Sequence, residues 1–222
     1  LNSIRLPLYY GYNVHLAGHS FLLLPQRALL WPKYHILIIA DAHIGKVTHF
    51  RKAGVALPVD AILTQMTRLK ELIRSIEPKQ VIFLGDLFHS DVNSEWEIFK
   101  SEILSLNRTS FILVRGNHDI LPSGQYLSAG LKICDIFSTD GITFVHQATE
   151  EVSKFEICGH MHPGYLLKGK GKQSVRLPCL YKTNNKAILP AYGDFTGLFN
   201  IQPSTGEEVY LIAKDKIIPI TF

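Results

Sequence analysis

Five short polar blocks punctuate the chain: Asp41-Ala42-His43, Gly85-Asp86, Gly116-Asn117-His118-Asp119, His146, and Gly159-His160-Met161-His162. Carboxylates, imidazoles and an amide are oxygen and nitrogen donors. Such a set suits manganese, iron or zinc, and it contains no thiolate. The candidate ligands Asp41, His43, Asp86, Asn117, His146, His160 and His162 are too many for one tetrahedral or octahedral shell. Two divalent ions are the simpler reading, Mn²⁺ first, with Fe or Zn as alternatives. One carboxylate must then bridge, and Asp86 is the natural choice. A two-metal site with ions about 3.5–4 Å apart suits in-line displacement at phosphorus.

The elements that must position these blocks are legible as apolar runs. His35–Ala40, Gln80–Leu84 and Phe111–Val114 read as strands buried on both faces, and each runs straight into one of the first three blocks. Between them, Asp60–Glu77 has Ile62, Met66, Leu69, Leu72, Ile73 and Ile76 at helical spacing, with Asp60 able to cap it and Pro78 after it. Ser94-Glu95-Trp96-Glu97 has the form of a capping box opening a second helix with Trp96, Phe99, Ile103 and Leu106 on one face. Strand, helix, strand, helix, strand predicts a parallel sheet, with ligands beyond the carboxyl ends of its strands. Upstream, Val14–Leu24 reads as an extended segment turning at Gly18, and Ala28–Trp31 as a short strand. Downstream the pattern turns to β. Strands are expected at Lys132–Thr139, Ile142–His146, Phe155–Cys158, Tyr165–Lys168, Ser174–Leu177, Ala187–Leu189 and Val209–Ala213. Two sheets packed together with helices outside, in one domain over residues 1–222, is the expected architecture.

Composition narrows the class. The 222 residues are 46% hydrophobic, which excludes disorder and collagen-like repeats. No apolar run reaches the roughly 18 residues of a membrane span, and the N-terminal stretch lacks the features of a signal peptide. Three widely spaced cysteines argue against a disulfide scaffold and for a cytoplasmic setting. The net charge of +4 permits a nucleic-acid partner without requiring one. Of the ten histidines, five fall inside the polar blocks and a sixth, His89, lies beside one.

In this order and spacing the blocks resemble the calcineurin-like metallophosphoesterases over roughly residues 36–162. The resemblance implies a four-layer α/β/β/α sandwich of two mixed sheets and a dinuclear centre. Asp41, His43 and His162 would bind one metal, Asn117, His146 and His160 the other, with Asp86 bridging. His118 would lie just outside the metals. The implied reaction is attack on phosphorus by a metal-bridging hydroxide, with His118 as general acid and Asp119 orienting its ring. Further matches extend the resemblance to a bacterial branch, the ligase-associated DNA-damage-response phosphoesterases. They are Asp41-Ala-His-Ile-Gly-Lys46, Phe50-Arg51-Lys-Ala-Gly54 with Pro58, Leu84-Gly-Asp-Leu-Phe-His89-Ser90, Leu177-Pro-Cys179 and Leu189-Pro-Ala-Tyr-Gly193. Ala42 departs from the leucine common there and is expected to point away from the metals.

The branch implies a DNA phosphodiesterase or endonuclease in damage repair, with a DNA ligase or helicase as partner. A phosphatase or diesterase for a small phosphorylated metabolite or nucleotide is the alternative, since the same centre serves both. A metal-lined scaffold without turnover is a third reading, and the full ligand set with His118 argues against it. Homo-oligomerisation stays open. Lys46, Arg51 and His89 are candidate substrate contacts close to the blocks. Lys168, Lys170 and Lys172 crowd the tip of a hairpin expected at the opposite end of the sheet, roughly 20 Å from His162. Asp194 is expected to be a turn residue rather than a ligand.

Overall fold

Apolar runs without polar alternation cannot face water on either side, and three of them form the middle of the first sheet. The structure, a computed structural model, describes residues 11–46, 54, 60–88, 94–149, 154–169, 171 and 173–222. Strands β4 (Ile36–Ala40), β5 (Gln80–Leu84) and β6 (Ser110–Val114) pair in parallel, with Ala40, Leu84 and Val114 level with one another. β7 (Leu131–Cys134) adds a parallel edge. On the other side β1 (Tyr12–Leu16), β2 (His19–Leu24) and β3 (Ala28–Trp31) run antiparallel, completing the order β1 to β7.

One face of this sheet carries helices. α1 (Asp60–Ile76) lays Met66, Leu69, Leu72, Ile73 and Ile76 against Val81, Phe83, Phe111 and Leu113. Each such side chain, fully buried, contributes about 1.5–3 kcal/mol. The helix stops where Glu77 turns left-handed (φ 49°) ahead of Pro78. α2 (Ser94–Phe99) adds Trp96 and Phe99, and α3 (Ser123–Ser128) adds Tyr126. The helix expected from Ser94 widens into a π-helical segment over Lys100–Leu104, which keeps Ile103 in the core.

The other face packs on a second sheet. Its strands are β8 (Phe137–Thr139), β9 (Ile142–Phe144), β10 (Phe155–Cys158), β11 (Pro163–Lys168), β12 (Ser174–Lys182), β13 (Lys186–Ile188), β14 (Phe199–Asn200), β15 (Glu208–Ala213) and β16 (Lys216–Thr221). The order is β14-β11-β12-β13-β10-β9-β8, with β15 pairing β12 and β16 pairing β15. Phe144, Ile157, Leu180, Leu189 and Ile212 meet Trp31, Ile38, Ile82 and Ile112 in the core between the sheets. This is an α/β fold of two mixed sheets with helices, the expected class. Among the described residues every helix packs on the first sheet. On the second sheet a further cluster packs Cys179, Val209 and Leu211 against Tyr165, Leu177 and Phe222. No described helix is long and apolar enough to cross a membrane.

Three local expectations change. Residues 132–139 are two strands, not one: β7 belongs to the first sheet and β8 to the second, the chain crossing at Asp135-Ile136. β16 was not expected. It pairs on one side only and contains Pro219, as an edge strand tolerates. The lysine-bearing hairpin stands elsewhere than expected. β12 pairs with β13 only at Tyr181 and Lys182, and pairs with β11 from Pro178 to Ser174. β11 therefore carries on past the end of β13, and the hairpin projects beyond the polar rim rather than back to the far end of the sheet. Lys170 and Lys172 lie outside the described residues.

Candidate metal centre

Because β4, β5 and β6 end level, the residues that follow them emerge at one rim: Asp41, then Gly85-Asp86, then Gly116-Asn117. The second sheet meets this rim with His146 after β9 and Gly159-His160 after β10. The sheets are stitched together there. Ala191 bridges to Ala40, and the amides of Tyr192 and Gly193 donate to the carbonyls of Ala40 (2.9 Å) and Asp41 (3.1 Å).

Five of the eleven described non-glycine residues with left-handed backbone lie at this rim. Asp41, His43, Asp86, His160 and His162 all have left-handed φ, of 52°, 46°, 48°, 66° and 52°. Such residues cost about 1–3 kcal/mol each and persist only where their surroundings hold them, typically at functional sites. The glycines of the blocks clear the space. A Cβ at Gly85 would lie 2.2 Å from His146 Nδ1, one at Gly116 2.4 Å from Asp86 Oδ1, and one at Gly159 2.5 Å from Asp41 Oδ2.

Two clusters result, each of which could hold a cation: Asp41, His43 and His162, and Asp86, His146 and His160. In the first, His43 Nε2 is 3.4 Å from His162 Nε2, which is 3.5 Å from Asp41 Oδ1. In the second, His146 Nε2 is 3.0 Å from both Asn117 Oδ1 and His160 Nδ1. Asp86 stands between them, with Oδ2 3.7 Å from His43 Nε2 and Oδ1 3.5 Å from His146 Nε2.

Proton positions test whether the residues suit a metal. His146 Nδ1 lies 3.0 Å from the Leu84 carbonyl, which can only accept, so Nδ1 carries the proton. Its Nε2 then turns a lone pair toward the oxygens of Asn117 and Asp86. Burial, aided by His146, pushes the His160 imidazole below the usual histidine range, against the pull of Asp41 and Asp86. Asp41 is fully buried, and its Oδ1 has no hydrogen-bond partner among the described residues. Acceptors converging with too few protons repel one another unless a positive charge lies among them. The donor set fits divalent cations, and His146 has the hydrogen-bonded second nitrogen common in metal-binding histidines.

The remaining candidates surround this core. His118 is exposed. Its amide donates to Asp86 Oδ1 (2.9 Å), and its ring centroid is 5.8 Å from that of His43. Asp119 is buried. Its Oδ1 accepts from the amides of Leu87 (2.9 Å) and Phe88 (3.3 Å), and its Oδ2 from that of Gly116 (2.8 Å). What it fixes is the backbone carrying His118 and Asp86. Burial, with a smaller push from Asp86, raises its carboxyl to about 6 against those amides. Burial also lowers the Lys46 ammonium, opposed by the pull of Asp86 and Asp41. Arg51 and His89 lie outside the described residues.

Several supports were not foreseen. Glu95, read only as part of a helix cap, is buried and accepts from the Gly45 amide at 3.0 Å. Gln65 donates to the Ala42 carbonyl. Both brace the loop after Asp41, and their only signal in the sequence was a polar side chain on an otherwise apolar helix face. Ala42 itself points into the helix-side core, away from the clusters. Asp194 is no ligand: it pairs with Arg68 (2.9 Å) and Arg27 (3.4 Å). The Cys158 thiol, pushed up to about 12 by burial, is packing.

Comparison with known proteins places the chain in a family and a fold. A family model described as calcineurin-like phosphoesterase matches residues 34–206. The crystal structure of Pseudomonas putida nuclease MPE superposes with a TM-score of 0.78 at 24% identity, covering 95% of this chain and 100% of that one. It shares the fold. A protein of unknown function from Aquifex aeolicus, AQ665, is 19% identical over 62% of this chain and 82% of its own, with a TM-score of 0.40. No match is found among curated proteins.

Proposed function

Because the chain belongs to the calcineurin-like phosphoesterase family, we propose that its two clusters hold a pair of divalent cations, manganese first, and that it cleaves phosphodiesters of DNA during damage repair. It is a metal-dependent phosphoester hydrolase. The observation that carries the two-metal reading is Asp86, one carboxylate oxygen facing each cluster. The choice of DNA draws on the P. putida protein's being a nuclease and on the net charge of +4. A DNA ligase or helicase as working partner rests on the branch resemblance alone.

Asp41, His43 and His162 would hold one cation, Asn117, His146 and His160 the other, with Asp86 shared. When bound, such a pair supplies Lewis-acid polarisation of the phosphoryl group and activation of water. The protein's own part is positional and acid–base. The Leu84 carbonyl keeps the His146 proton on Nδ1. Asp119 locks the amides of Gly116 and Leu87, so the loop that presents His118 cannot drift from Asp86. His118, outside the clusters and exposed, gives its proton to the leaving oxygen. Lys46 draws the substrate's anionic end toward the first cluster.

The test is a side-by-side assay of Mn²⁺-loaded protein on a phosphomonoester, a generic phosphodiester and single-stranded DNA. Diester and DNA cleavage that disappears in Asp86→Ala is expected. Monoester hydrolysis alone would replace this reading with a small-metabolite phosphatase.

A further inference from the structure

A cleft of about 420 Å³ opens beside the second cluster, with His160 in its wall. Its other walls are unlike the rest of the rim. Met161, Ile188 and Phe199 line it, with the amide side chain of Gln147. Phe199 is 60% exposed and Met161 36% exposed, and both are held there by the ligand block itself. Left-handed turns at His160 and His162 send the imidazoles toward the clusters and leave Met161 between them on the outside. The Phe199 amide donates to the His162 carbonyl at 2.9 Å, and Phe199 pairs with Pro163 in β14. An aromatic ring kept in water on a backbone clamped to a ligand residue is poorly explained as packing. The volume suits a planar group of nucleobase size, and a ring face accepts any base by stacking.

We propose that this cleft is the base subsite of the enzyme, in which a nucleobase next to the scissile phosphate stacks on Phe199 with Met161 and Ile188 at its edges. The proposal rests on the phosphodiesterase reading above and adds what that reading lacks, a contact selecting nucleotide esters over other diesters. Stacking on one ring accepts purines and pyrimidines alike, so the subsite confers preference for a base without choosing which. Gln147 offers both a donor and an acceptor to the base edge.

The experiment compares kcat/KM of the Mn²⁺-loaded full chain on a short single-stranded oligonucleotide and on the same strand carrying tetrahydrofuran abasic residues. Wild type should favour the intact strand by about tenfold or more, within the range found for single stacking contacts. Phe199→Ala should bring that ratio close to one, and Phe199→Trp should preserve it. Phe199→Leu keeps an apolar side chain without a ring face, should also lose the preference, and serves if the alanine variant folds poorly. A ratio near one in wild type, or a ratio unchanged by Phe199→Ala, overturns the subsite while DNA cleavage itself still stands. Equal loss on both strands overturns it too, as does a dimer that dissociates in Phe199→Ala with the ratio unchanged, since Phe199 would then face a second copy. Failure of wild type to cut either strand would instead remove the phosphodiesterase reading.

Discussion

The two clusters at the rim are built differently. Asp41, His43 and His162 all sit in left-handed backbone, and Asp41 and His43 are buried. The second cluster mixes two left-handed residues, Asp86 and His160, with His146 and Asn117 in ordinary backbone. Asn117 is exposed, and His160 borders an open cleft. The first cluster is the more buried of the two and lies where the sheets are stitched through Ala191 and Gly193. The second keeps an open side, where His160 borders the cleft.

The largest effect tests whether chemistry occurs outside both clusters. His118→Ala should cost about 10²- to 10⁴-fold in turnover on poor leaving groups, with both metals retained. Unchanged turnover would remove its role as acid. Next, Gly85→Ala and Gly159→Ala load the two clusters separately, since their new methyls meet His146 and Asp41 respectively. Each should lose about 1–3 kcal/mol in a denaturant melt. Only Gly85→Ala should spare the first metal equivalent. Third, Asn117→Ala should weaken the second equivalent in a Mn²⁺ titration and leave the first, whereas His43→Ala should weaken the first. Equal weakening of both sites by either change would erase the distinction. The smallest effect is expected from Glu95→Gln, which removes the charge accepting the Gly45 amide. A loss of about 1 kcal/mol in stability, with metal content unchanged, fits a brace of the first cluster's loop.

Much of the site was legible because each block interrupts an apolar strand at its end, where a long run of buried side chains gives way to carboxylates and imidazoles. The supports were not. Glu95 and Gln65 looked like ordinary helix residues, and only tertiary packing brings them to the Gly45 amide and the Ala42 carbonyl. Asp119 is expected to orient the His118 ring, and the backbone amides its oxygens accept from, 30 or so residues away in sequence as well as nearby, could not be read from its position. Strand type was readable at residues 132–139, but which sheet each half joins depends on pairing with β6 and β9, which no local pattern encodes. The same limit misplaced the hairpin, because β12 changes neighbours halfway along its length.

Metal stoichiometry tests the two-cluster account most directly. Protein loaded with Mn²⁺, desalted and measured by elemental analysis should carry two ions per chain, and Asp86→Ala, lacking the carboxylate shared by both clusters, should carry one or none. One ion per chain in the wild type, or two in Asp86→Ala, would contradict it.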